Sequence, residues 1–129
     1  MRSLLTLLTA IAVTLAPLAA SADNLVRTVN YRTAYRQTVP MRSAGEYAGH
    51  MTLRFYSSGI INGTYRDESA GSIHTVTGGL KGTKIWLSLG NRGQRNVNGT
   101  IEKGSLIRGM LTGRRGPAQY EFTATPLAH

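Results

Sequence analysis

Cysteine is missing altogether from the 129 residues. No disulfide can staple the fold, no thiolate can hold a metal or a lipid, and packing with backbone hydrogen bonds must suffice. Acidic residues are scarce as well, 6 against 15 basic ones. The adjacent pair Asp67-Glu68 points two ways on an extended chain, so no paired-carboxylate acid–base site is expected. The three histidines, His50, His74 and His129, show no His-x-x-x-His spacing, and no calcium-loop run of acids occurs, so no metal is expected. No Gly-x-Ser-x-Gly motif accompanies His74, the one histidine whose parity would bring it near Asp67 or Glu68. The glycines of Gly90-Asn91-Arg92-Gly93-Gln94-Arg95 follow a strand without opening a helix, which excludes a phosphate cradle. Helical periodicity is lacking throughout. These absences together lead to the expectation of a protein that is not an enzyme and carries no cofactor.

What is present begins with a leader. Arg2, the apolar run Leu4 to Leu15, Pro17 and the small-x-small triplet Ala20-Ser21-Ala22 are the parts of a secretory signal peptide over residues 1–22. The run is short for a membrane span. A secreted or periplasmic location is therefore expected, with Asp23 the first mature residue. The remaining 107 residues carry 14 basic and 6 acidic side chains, a net charge of +8, and make one domain large enough to bury a core. Such a charge suits an anionic partner, a lipid surface or acidic polysaccharide before a nucleic acid in that location, and no specific nucleic acid is expected.

A five-residue pattern organises the rest: apolar, small or polar, glycine, any residue, apolar. It reads at Tyr47-Ala48-Gly49-His50-Met51, Ile61-Asn62-Gly63-Thr64-Tyr65, Val97-Asn98-Gly99-Thr100-Ile101 and Ile107-Arg108-Gly109-Met110-Leu111, and more loosely at Leu80-Lys81-Gly82-Thr83-Lys84. Around it the chain alternates with the period of half-buried strands. Glu46 to Tyr56 and Ile60 to Asp67 place Tyr47, Met51, Leu53, Phe55, Ile61, Tyr65 and Asp67 on one face. His74, Val76 and Leu80 follow, then Ile85, Leu87 and Leu89 opposite Trp86. Val97 to Ile101, Leu106 to Thr112 and Gln119 to Thr125, with Tyr120 and Phe122 inward, complete the series. Glycine on the inner face of successive strands is what a small barrel needs where strands coil sharply or cross closely. The fold expected is all-β, a single antiparallel up-and-down β-barrel of about eight strands. Residues 44–129 form its body, and 23–43 are a basic segment read as a strand whose pairing is open. If that strand does not close the barrel, its exposed edge favours a homo-oligomer.

Gly45-Glu46-Tyr47, the run Gly59-Ile60-Ile61-Asn62-Gly63-Thr64-Tyr65 and Thr77-Gly78-Gly79 give residues 45–90 a resemblance to the avidin and streptavidin type of small secreted barrel, within the wider lipocalin-like group. The resemblance implies a ligand-holding barrel with Tyr65 at the ligand site. A tyrosine replaces the opening tryptophan, and Trp86 is the one tryptophan of the chain, so biotin is not implied as the ligand.

Two sets of candidate binding residues follow. Tyr47, Phe55, Tyr65, His74 and Tyr120 would line an internal cavity with apolar walls and a few orienting hydroxyls; the competing reading is that they simply fill the core. Arg27, Arg32, Arg36, Arg92, Arg95, Arg114 and Arg115 would hold an anionic surface or polysaccharide from outside; the competing reading is a solvated arginine face. A small-molecule ligand, an anionic surface and inhibition of another secreted protein are the partners these sets allow. Trp86, opposite the apolar face of its strand, is expected to be exposed.

Overall fold

A computed structural model describes residues 23–42, 45–90, 95–113 and 118–128. The expected signal peptide and Arg92, Arg114 and Arg115 lie outside the described residues. Eight strands form one closed antiparallel barrel in sequence order: β1 (Leu25–Val39), β2 (Tyr47–Tyr56), β3 (Ile60–Asp67), β4 (Ile73–Lys81), β5 (Lys84–Leu89), β6 (Arg95–Ile101), β7 (Ile107–Gly113) and β8 (Gln119–Pro126). A 3-10 turn, Lys103–Ser105, lies between β6 and β7.

The basic N-terminal segment closes the ring. β1 pairs with β2, Tyr35 opposite Tyr47 and Tyr31 opposite Met51, and with β8, Tyr35 opposite Phe122 and Tyr31 opposite Pro126. It is thus part of the barrel body, and the open edge that would have favoured self-association does not exist.

Antiparallel order sorts the connections onto two ends. The upper end carries the connections β1–β2, β3–β4, β5–β6 and β7–β8, and the lower end those of β2–β3, β4–β5 and β6–β7 together with the start of β1 and the end of β8. Between them the interior is packed by inward side chains, among them Met51, Leu53, Ile61, Val76, Ile85, Leu87, Val97, Leu111 and Phe122, all at most 2 % exposed. An eight-stranded ring leaves just the width that such side chains fill. At the lower end Tyr31 crosses the interior and donates from Oη to the Ser105 carbonyl at 2.8 Å, tying β1 to the 3-10 turn.

The inner glycines let the strands approach. A Cβ built on Gly63 would overlap the Thr52 carbonyl. Gly99 and Gly109 face each other across β6 and β7, and a Cβ on Gly109 would lie 2.5 Å from Asn98 O and 2.9 Å from Gly99 Cα. The loose fifth match of the pattern is corrected: Gly82 sits in the β4–β5 turn at φ +63 with nothing within 4 Å of a Cβ. Left-handed backbone, not close approach, accounts for that glycine. The inner glycine of β4 is Gly78, where a Cβ would overlap the Trp86 carbonyl. Trp86 is exposed as expected, its indole covering the neighbouring Gly79 on the outer face.

Candidate functional site

The inner parity of β1, β3 and β6 delivers polar groups to the upper end. Tyr31, Thr33 and Tyr35 alternate inward on β1, Tyr65 and Asp67 on β3. β6 begins at Arg95, two residues before Val97, so Arg95 shares the inward parity of Val97. Of these, Tyr35, Asp67 and Arg95 border a recess of about 310 Å³ whose lining also includes Tyr47, Leu111 and Tyr120. A cleft of about 50 Å³ adjoins it between Tyr65, His74, Leu89 and Arg95. Arg95 is the wall they share.

Three tyrosines form an aromatic lining. Tyr35 stacks on Tyr47 with centroids 5.1 Å apart and meets Tyr120 edge-on at 5.5 Å. The Arg95 guanidinium lies 5.7 Å from the centre of the Tyr35 ring. Its Nη1 donates to Tyr35 Oη at 2.8 Å and stands 3.7 Å from Asp67 Oδ2. Asp67, at the end of β3, is pinned by its own loop: Oδ1 accepts from Ser69 N at 3.0 Å, Ser69 Oγ at 2.8 Å and Ala70 N at 3.4 Å. Burial pushes its carboxyl up, but the Ser69 and Ala70 donors and the Arg95 charge outweigh burial and hold it below the usual aspartate range.

Below the recess two hydroxyls are sealed from water without partners. Tyr65 Oη and Thr33 Oγ1 are buried, and neither completes a hydrogen bond. Both hang over Gly49, where a Cβ would come within 2.9 Å of each; the glycine makes the room they occupy. Burial drives the Tyr65 phenol far upward, with Tyr35 and Asp67 adding to the rise. The Thr33 and Tyr35 hydroxyls lie near enough to interact with it, yet neither contact has hydrogen-bond geometry. Burial likewise raises Tyr35, against the pull of Arg95. Each is a neutral hydroxyl at ordinary pH.

The expected cavity set divides. Tyr47 and Tyr120 border the recess, and Tyr65 and His74 border the adjoining cleft. Phe55 does not join them, because it lies at the lower end under the Arg27 guanidinium, 4.8 Å from its ring centre. Tyr47 sits on the rim, 48 % exposed. His74 Nε2 is 3.0 Å from Ser72 Oγ and its ring stacks on Tyr65. Among the described residues no carboxylate hydrogen-bonds His74, so the Ser72–His74 contact lacks the third group that would orient a base.

The four described members of the arginine set, Arg27, Arg32, Arg36 and Arg95, do not share one surface. Arg27 caps Phe55 at the lower end. Arg32 faces outward beside His50 and Thr125, and Arg36, also outward, approaches Glu46 at 4.0 Å. Arg95 is turned into the upper mouth, since β6 starts earlier than its glycine-rich approach suggests. Sequence reasoning missed Thr33 and Tyr35 as site residues and placed Asp67 inward without giving it a role. Taking the β1 parity from Tyr31 and Tyr35 would have found the first two, with Thr33 between them.

These features describe a hydrogen-bonding, aromatic-walled recess at one mouth of a filled barrel. Compared with known proteins, the chain matches no family model, no curated protein and no solved structure.

Proposed function

We propose that this is a secreted or periplasmic, non-enzymatic binding barrel that holds a small polar ligand at its upper mouth. The ligand lays a planar or ring face against Tyr47, Tyr35 and Tyr120 and reaches past Arg95 to the Tyr65 and Thr33 hydroxyls. A recess of about 310 Å³ stands at the small end of ligand sites, which span about 300–1,000 Å³. Arg95 is the adjustable part of the wall, its side chain 43 % exposed against 8 % for Asp67.

The observation that carries this reading is the pair of unpartnered hydroxyls. A buried hydroxyl without a partner costs about 1–3 kcal/mol, and a ligand that donates to or accepts from it recovers that loss. Because Arg95 is already matched by Asp67, a neutral ligand fits better than a strongly anionic one.

Native mass spectrometry of the processed chain recovered from its exporting host tests the proposal. A reproducible added mass is expected. Tyr65→Phe should lose it while folding at least as stably as the parent, since the variant removes an unsatisfied group. An unliganded mass, together with no thermal shift across a panel of small neutral metabolites, would overturn the reading. So would a Tyr65→Phe protein that keeps its adduct.

A further inference from the structure

We infer that the lower end of the barrel is a docking face for an anionic lipid bilayer, independent of any ligand at the upper mouth. Its signature is the meeting of free cations with exposed aliphatic side chains. The chain has three lysines, Lys81, Lys84 and Lys103, and the topology brings all three to this end. Lys81 and Lys84 stand directly opposite as the last pair of β4 and β5, an arrangement that destabilises a sheet unless counter-charge is supplied. Lys103 is exposed in the 3-10 turn, and the Ile101 amide joins its strand to the Lys81–Lys84 turn by donating to Thr83 O at 2.8 Å.

The carboxylates nearby are already engaged. Glu102 pairs with Arg108 at 3.4 Å, and Asp23 accepts from Ser57 Oγ at 3.0 Å and Ser58 N at 2.9 Å. Among the described residues none of the three lysines is in an ion pair. Beside them, Leu25, Val26 and Ile60 are 53, 64 and 54 % exposed. Val26, Leu80 and Gly82 border one groove of about 380 Å³ on this end.

Cations alone would suit any polyanion. Aliphatic side chains on the same rim select a bilayer, where they enter the headgroup boundary while lysines stay level with the phosphates.

Vesicle sedimentation with the processed chain tests the inference, comparing phosphatidylcholine vesicles with vesicles containing phosphatidylglycerol. Binding to the anionic vesicles alone, falling with added salt, is expected. Each basic residue near such a surface contributes about fivefold, so Lys81→Gln with Lys84→Gln should weaken binding about 25-fold. Ile60→Ser should weaken it at unchanged charge, and Arg95→Ala, at the other mouth, should leave it unaltered. Trp86, the single tryptophan, lies two residues from Lys84 and should shift its emission to the blue on docking. Equal binding to both vesicle types, or no effect of the lysine variant, would overturn the inference. Binding to a soluble acidic polysaccharide with none to vesicles would overturn it in favour of a polymer partner.

Discussion

Tyr31 and Tyr65 are both phenols sealed inside one barrel, yet only Tyr31 has a group to donate to. Its hydroxyl meets the Ser105 carbonyl, and burial, opposed by Arg27, pushes its pKa up to about 12. With Tyr35 and Tyr65 also raised by burial, three of the six tyrosines resist ionisation in the folded state. The sign follows: a raised folded pKa gives stability that is full below the ordinary phenol value of about 10 and is lost as pH climbs from there. Absorbance at 295 nm should show Tyr31, Tyr35 and Tyr65 ionising only with alkaline unfolding, a loss that for Tyr31 begins above pH 10 and is complete past about 12. Asp67 runs the other way: its lowered pKa gives stability present above about pH 4 that is lost as the solution is acidified through its folded value. Asp67→Asn should flatten that acid limb in a urea-unfolding series. No pattern in the sequence separates a tyrosine with a partner from one without, because Ser105 lies 74 positions from Tyr31.

At the scale of the strand, glycine does two jobs that look alike in sequence. Gly63→Ala should destabilise by about 3 kcal/mol or more, because the new methyl meets the Thr52 carbonyl, a backbone atom that cannot step aside. Gly82→Ala should cost about 1 kcal/mol, the ordinary penalty of a left-handed position with open space around it. Chemical denaturation of the two variants measures the difference. The five-residue pattern found the close-approach glycines of β2, β3, β6 and β7 and mistook the turn glycine for another. Strands β2 to β8 were legible because apolar and polar residues alternate cleanly along them. β1 was harder to read: its inner face carries Arg27, Thr33 and two tyrosines around one aliphatic, Val29, and irregularities between Leu25 and Arg27 and between Gln37 and Val39 break its period. Hence the site residues on β1 were missed although the strand itself was found.

As a whole, the molecule is apolar within and lined outside by threonine, asparagine and arginine, the reverse of a barrel that faces lipid with its walls. Contact with a bilayer would therefore be made by an end. Since β1 supplies one wall and pairs on both sides, a chain begun at Ala44 should fail to fold; loss of the β-sheet circular dichroism signal and of solubility is the expected outcome. Seven of the eight ladders join strands consecutive in sequence, and the eighth, β1 to β8, brings Tyr31 to Pro126. That seam closes by far the longest loop of the fold and carries the largest single closure cost. It is thus the natural place for the ring to unzip, and the one event in which this protein would offer two bare strand edges to a neighbour, or trade its first strand with a second copy in a domain swap.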